Sequence, residues 1–123
     1  MNDSELSNIA DRLFKAFVDH DAYTLREVCA PDARFWSSAR GVESDLEELI
    51  SSLDGMRAMI GDHRYEEVRR MIAPDGFVEQ HVVRSTLPSG KPLELEVCVV
   101  VRVDEDDRIV RLDEYIPGRV DLS

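Results

Sequence analysis

The sequence predicts an α+β fold in which three N-terminal helices pack into a curved, antiparallel or mixed β-sheet. Apolar residues recur at helical spacing only in the first half of the chain, up to Ile60. From His63 onward the pattern changes to strand-like runs separated by turn signals. Three of these runs are about ten residues long, and long antiparallel strands twist strongly, so we expect the sheet to curl into a cone. No repeat or linker interrupts the chain, which predicts one domain over residues 1–123.

The first helix is predicted over residues 4–19, because the apolar residues between Leu6 and Phe17 recur every three or four positions. Asp21 then has the character of an N-cap, and it predicts a short second helix that stops near Pro31.

A brief strand over residues 34–36 and a third helix complete the first half of the chain. The third helix is predicted from Leu46 to Ile60, where apolar residues again follow helical spacing after Gly41.

The second half contains four predicted strands, and each boundary between them has a turn signal. The turns are expected at residues 73–76, 88–90 and 104–107, and the last strand ends before residues 117–118.

The strand over residues 93–103 fixes which face of the sheet is buried. Every odd position from Leu93 to Val103 is Leu or Val, so this face must be the inner one. The other face is polar at its ends and apolar in the middle. A sheet surface of that kind is often covered by a second subunit, so we expect a homodimer that associates through the outer face.

Glu114 breaks the apolar pattern of the inner face. A four-residue turn at 104–107 would place Val99 opposite Leu112 and Val97 opposite Glu114. If the other set of alternate residues in this strand faced inward, both Arg111 and Asp113 would be buried. Burying one charged group costs less free energy than burying two, so we expect Glu114 to face inward. A carboxylate among aliphatic neighbours should have a raised pKa, and such a group in a cleft is a candidate functional residue.

Two interpretations of Glu114 remain open. The same hairpin argument around residues 88–90 points Gln80, Val82 and Arg84 inward, with Arg84 opposite Leu95. Arg84 could then form a buried, merely structural ion pair with Glu114. Without that pair, Glu114 is a poised acid or base, or a ligand contact.

The candidate pocket combines Glu114 with residues predicted to face inward. Trp36, near the mouth of the cone, is interpreted either as a core residue or as an apolar wall of the site. Glu114 is the candidate catalytic residue, and the candidate ligand-binding residues are Trp36, Tyr65, Gln80, Val82, Arg84, Val97, Val99, Leu112 and Ile116.

Composition and charge narrow the classes of function. The chain has 123 residues, 43% hydrophobic and 33% charged, and a net charge of −11. Such a charge repels phosphate backbones and anionic membranes, so neither nucleic acid nor a membrane is an expected partner.

Other motifs are weak. Cys29 and Cys98 are isolated and predict buried thiols in a reducing cytoplasm, without a disulfide or a metal site. No secretory signal or membrane-spanning segment is expected. His81 is predicted on the outer face, and the sequence contains no glycine-rich phosphate loop, so no cofactor is expected.

Two segments carry a resemblance to a known family. Residues 14–21 with 30–33, and residues 107–115, resemble the first two helices and the final hairpin of the nuclear transport factor 2-like superfamily, specifically its SnoaL-like branch. The resemblance implies a cone-shaped α+β fold, frequent homodimers and a pocket inside the cone.

The resemblance does not carry every catalytic residue of the family. The ketosteroid isomerase positions correspond to Leu13, Ser37 and Val99, and the epoxide hydrolase positions to Val97 and Val99, so neither reaction is expected. The acidic residue at the strand end of the cyclases corresponds to Glu114.

Two functions follow as expectations. The first is a pocket for an apolar small molecule, with cofactor-free proton transfer by Glu114 and with Tyr65, Gln80 and Arg84 as candidates to orient a carbonyl. The second is a non-enzymatic ligand-binding or dimeric interaction module whose pocket is filled by side chains.

Overall fold

The computed structural model describes residues 2–118 and 120–123 as three helices and one six-stranded mixed sheet, which confirms the predicted fold class. The elements in chain order are α1 (Asp3–Asp19), α2 (Ala22–Val28), β1 (Cys29–Ser37), β2 (Glu43–Asp45), α3 (Leu46–Ile60), β3 (Arg64–Ala73), β4 (Gly76–Thr86), β5 (Pro92–Val103) and β6 (Ile109–Tyr115).

Side-chain caps fix where the helices begin. Asn2 and Glu5 form a capping box at the start of α1, and Asp45 and Glu48 form one at the start of α3. Asp21 accepts a hydrogen bond from the backbone N of Thr24 at 3.1 Å, so its predicted role as N-cap of α2 is confirmed. Each cap satisfies backbone N–H groups that have no partner within the helix.

The strand order across the sheet is β2-β1-β6-β5-β4-β3. Only β1 and β6 pair in parallel, and the other neighbours are antiparallel. The strand β1 begins directly after α2 and is longer than the predicted strand of residues 34–36. Its pairing with β6 shifts between Cys29 and Arg34, and Pro31 lies in this irregular stretch, where proline is tolerated in a sheet.

The hairpin between β4 and β5 has a different register from the predicted one. Thr86 pairs with Pro92, so a five-residue loop joins the strands, and Arg84 pairs with Glu94 instead of Leu95. A shift of one residue turns every side chain of a strand to the opposite face. The predicted inward orientation of Gln80, Val82 and Arg84 is therefore wrong.

The hairpin between β5 and β6 differs from the prediction by two residues, which preserves the face. Val99 pairs with Glu114 and Val101 with Leu112, whereas Val97 had been predicted opposite Glu114. The loop closes with a hydrogen bond of 2.8 Å from the backbone N of Asp104 to the carbonyl oxygen of Arg108.

The three helices cover one face of the sheet, which we call the inner face. Its buried strand residues form one core with the apolar faces of the helices. The strand members are Ala33, Phe35, Phe77, Val83, Val97, Val99, Val101, Val103, Ile109 and Leu112. In the part of the chain that the structure describes, no helix is both long and apolar enough to cross a bilayer.

A second, smaller cluster lies where the C-terminal segment meets the end of α3. Ile60, Leu87 and Leu93 are buried there, and Val120 and Leu122 pack against them. Met56 and Leu95 contact both clusters and lie at the margin between them.

Candidate active site

Glu114 lies on the inner face, near the end of β6. The parallel pairing of β1 with β6 brings Ser37 beside it, and the Ser37 hydroxyl donates a hydrogen bond to Oε1 of Glu114 at 3.2 Å. Burial raises the pKa of Glu114 from its usual value, and the Ser37 hydrogen bond and the nearby His81 only partly oppose this effect. Glu114 therefore holds its proton to a higher pH than an exposed glutamate.

Arg84 does not neutralise Glu114. Its guanidinium is on the outer face, where it contacts Glu66 at 3.0 Å, Glu67 at 2.6 Å and Glu94 at 3.6 Å. Among the described residues, no lysine or arginine forms an ion pair with Glu114. The buried ion pair considered from the sequence is excluded for Arg84.

The inner face of β4 carries Glu79 and His81 where the sequence had suggested Gln80 and Val82. The Nδ1 atom of His81 is 2.7 Å from Oε2 of Glu79, and both side chains are 1% exposed. Gln80 is exposed on the outer face, and Val82 is buried there. The prediction that His81 points outward is therefore wrong.

The sequence contained only a weak signal for this pair. Phe77 and Val83 share a face with Glu79 and His81, but Val78 and Val82 give the other face an equally apolar pattern. Since each face of β4 carries apolar residues on both sides of a polar middle, the inward face of this strand could be predicted only from the length of the following loop.

Tyr65 faces inward, as predicted, and belongs to an aromatic cluster on the inner face. Its ring centroid is 4.4 Å from that of His81 and 5.3 Å from that of Phe14. Its hydroxyl is 2.9 Å from Nε2 of His63. Burial, and then the nearby Glu114 and Glu79, raise the pKa of Tyr65, while burial lowers the pKa of His63. The phenol remains protonated and can donate a hydrogen bond.

The predicted apolar lining is largely on the inner face. Val97, Val99 and Leu112 are buried in the core, and Ile116 packs against it while partly exposed. Further partly exposed apolar side chains pack against the same core; these are Leu49, Ile50 and Met56 of α3, Ile72 of β3 and Leu95 of β5.

Trp36 is not part of this lining. It pairs with Asp113 across the parallel strands and packs on Tyr115 on the outer face, with ring centroids 5.3 Å apart. It lines an open cleft of about 440 Å³ together with Glu43 and Arg111. Trp36 is therefore neither a core residue nor part of the lining around Glu114, because Phe35, not Trp36, points inward.

Taken together, the inner face presents a carboxyl group with a raised pKa, an imidazole paired with a carboxylate, and a phenol. These groups can donate, accept and transfer protons without a metal or an organic cofactor. Among residues 2–118 and 120–123, no group of three or more His, Cys, Asp and Glu side chains is arranged to hold a metal ion.

Cys29 is buried in the core, and burial raises the pKa of its thiol to about 12. Cys98 is partly exposed on the outer face. Neither cysteine faces Glu114.

Comparisons with known proteins agree with this fold. Residues 10–112 match the model of the SnoaL-like domain family. No curated protein sequence matches the chain. IdmH from Streptomyces antibioticus, a candidate polyketide cyclase, is 25% identical, with a TM-score of 0.80 and 91% of each chain covered.

More distant solved structures share the fold. A candidate polyketide cyclase from Xanthomonas campestris pv. campestris is 16% identical, with a TM-score of 0.78 and coverage of 94% of this chain and 92% of its own. A protein with a ketosteroid isomerase-like fold from Catenulispora acidiphila, in complex with trimethylamine, is 16% identical, with a TM-score of 0.76 and coverage of 87% and 83%. The family model spans most of the sequence, and the chain belongs to the SnoaL-like family.

Proposed function

We propose that this protein binds an apolar small molecule between the helices and the inner face and catalyses cofactor-free proton transfer on it, with Glu114 as acid or base. The observation that carries this proposal is the environment of Glu114. Its carboxyl group is largely buried on the inner face, where Glu114 pairs with Val99, and it accepts a hydrogen bond from the neutral Ser37 hydroxyl. Among the described residues no lysine or arginine offsets its desolvation, so the group relieves this cost by holding a proton that it can exchange with a ligand.

The surroundings fit a reaction of the isomerase or cyclase type. The phenol of Tyr65 is a donor that could stabilise a developing oxyanion, and it lies close enough to Glu114 for their charges to interact. Gln80 and Arg84, the other two groups considered for this role, point away from the interior. The similarity to IdmH, a candidate polyketide cyclase, supports the same class of chemistry.

The alternative function, a binding module with a filled interior, is favoured by one observation. Two clefts lie outside the interior: one of about 440 Å³ on the outer face, and one of about 360 Å³ at the turns that follow β3 and β5. A cone filled by its own side chains would bind no ligand near Glu114.

The test compares Glu114→Gln with Asp113→Asn, its neighbour on the opposite face, whose carboxylate pairs with Arg111. Thermal-shift screening with steroid ketones and polycyclic aromatic polyketides identifies a ligand for the wild type. We expect Glu114→Gln to abolish its binding or turnover and Asp113→Asn to retain both. Retention by Glu114→Gln, or the absence of any ligand, would support the filled module instead.

A further inference from the structure

We infer that His81 is a second catalytic residue of this site and provides its basic nitrogen, with Glu79 and Arg70 as positioning residues and an apolar, enolisable carbonyl compound as the substrate class. This inference rests on the proposed function, because it assumes that a ligand occupies the interior next to Glu114. It divides the chemistry between two groups, with Glu114 as the acid and His81 as the base.

The Glu79 carboxylate determines which nitrogen of His81 carries the proton. A carboxylate 2.7 Å from Nδ1 accepts a hydrogen bond from it, so the neutral ring has its proton on Nδ1 and a free lone pair on Nε2. The same carboxylate stabilises the imidazolium that forms when Nε2 takes up a proton.

Arg70 holds Glu79 in place. Its Nε donates to Oε1 of Glu79 at 2.8 Å, and its Nη1 donates to the Ser7 hydroxyl at 2.8 Å and to Asp11 at 3.0 Å. Arg70 thereby supplies the counter-charge that the buried carboxylate needs and ties β3 and β4 to α1. The acceptor on Nδ1 of His81 is consequently fixed in position.

The Nε2 atom of His81 forms no hydrogen bond with any described residue, yet no buried side-chain nitrogen or oxygen among those residues lacks a partner. An atom that meets both conditions retains a small accessible area, although the side chain as a whole is only 1% exposed. The ring itself is held between Tyr65 and Phe14, with centroid distances of 4.4 and 5.1 Å.

The charged and titratable groups around His81 come from several elements. Glu79 is on its own strand, Tyr65 and His63 are on or next to β3, and Glu114 is on β6, near enough for its charge to interact with the imidazole. Phe14 of α1 contributes no charge.

The proposed step conserves all protons and electrons. Nε2 of His81 takes the proton from a carbon next to the carbonyl, and the C–H electron pair forms a carbon–carbon double bond. The carbonyl π electrons move to oxygen, which takes the proton of the Glu114 carboxylic acid. If the substrate is β,γ-unsaturated, the enol is a dienol; return of the imidazolium proton to its γ carbon, and of the enol proton to Glu114, then moves the double bond into conjugation and restores both residues.

The test uses 5-nitrobenzisoxazole, an apolar compound that opens to a coloured cyanonitrophenolate when a base removes its ring C–H proton. The key variant is His81→Asn, whose amide can still donate to Glu79 but which has no Nε2. We expect kcat to fall by about 10²–10⁴-fold, the usual contribution of a general base. The control is His20→Asn, because His20 forms a similar 2.9 Å contact with Asp54, whose side chain is 93% exposed.

Glu79→Gln distinguishes positioning from simple destabilisation. We expect kcat to fall by about 10-fold or more, as the loss of an orienting carboxylate causes, with KM nearly unchanged. We also expect the midpoint of the pH–rate profile to move to lower pH, because the imidazolium loses its stabilising charge. A merely structural defect would leave that midpoint in place.

The outcomes separate this inference from the proposed function. If Glu114→Gln loses the reaction while His81→Asn retains it, the proposed function stands and the inference is wrong. If the wild type neither binds the probe nor accelerates its ring opening, both the proposed function and the inference about His81 are wrong. Independently of turnover, ¹⁵N NMR of the wild-type imidazole must show the proton on Nδ1, and a proton fixed on Nε2 would overturn the inference.

Discussion

Glu114 occupies an environment that disfavours charge, and this has a measurable effect on stability. The pKa of its carboxyl group is raised by burial, so the folded protein binds this proton more tightly than the unfolded chain does. The stability that Glu114 contributes is thus greatest at low pH and is lost as the pH rises through its raised value in the folded state.

We predict that Glu114→Gln unfolds at a higher temperature than the wild type at pH 8. The amide keeps an oxygen that can accept the Ser37 hydrogen bond and removes the need to bury a charge. The difference should shrink as the pH is lowered to 4.5, the ordinary value for this carboxyl group. Scanning calorimetry of both proteins between pH 4.5 and pH 8 measures this difference. A lower melting temperature for Glu114→Gln than for the wild type at pH 8 would indicate that a cation stabilises the Glu114 carboxylate.

At the same scale, the sequence could predict Glu114 but not His81. Glu114 pairs with β5, whose inner face is apolar along its whole length, so a register error of two residues left the predicted orientation of Glu114 unchanged. His81 lies on a strand that carries apolar residues on both faces, so an error of one residue in the loop reversed its predicted orientation.

The helices and strands were predictable where local chemistry fixes them. The cap at Asp21 and the periodicity of α1 and α3 needed no tertiary information. The strand β2 has only three residues, and the length of β1 depends on its pairing with the distant β6, so neither leaves a periodic pattern in the sequence.

Two glycines illustrate how element geometry determines tolerance to substitution. A Cβ atom on Gly76 would lie 1.9 Å from the carbonyl oxygen of Val101, because the start of β4 packs against the backbone of β5. Gly55, in the middle of α3, would place a Cβ atom in open space.

We therefore predict opposite effects for the same substitution. Gly76→Ala should lower the free energy of unfolding by about 1–3 kcal/mol or more, the usual cost of overpacking. Gly55→Ala should raise it by about 1 kcal/mol, because alanine loses less backbone entropy within a helix. Urea denaturation of both variants measures this, and a stabilised Gly76→Ala protein would contradict the pairing of β4 with β5.

At the scale of the whole molecule, the outer face has an apolar centre. Val78 pairs with Val100, and Met71 pairs with Val78 in the adjacent strand, so an apolar row crosses three strands. Met71 is 69% exposed, and Tyr115, further along the same face, is 50% exposed. We propose that a second copy of the chain covers this face.

We predict that the wild type sediments as a dimer at micromolar concentration and that Val100→Glu sediments as a monomer. The new charge would have to be desolvated in the interface. The matched control is Asn8→Asp, which adds the same charge on an exposed position of α1 and should leave the dimer intact. A wild-type protein that is monomeric at this concentration would rule out the interface.

The parallel pairing of β1 with β6 has a consequence for the order in which the chain folds. Ser37 and Glu114 are 77 positions apart, and β6 inserts between β1 and β5 in the middle of the sheet. Closing so long a loop is slow, because its entropy is lost before any contact compensates for it. A nascent chain that has emerged only through β5 therefore lacks both its central strand and Glu114, so the sheet and the proposed site are completed in the same step.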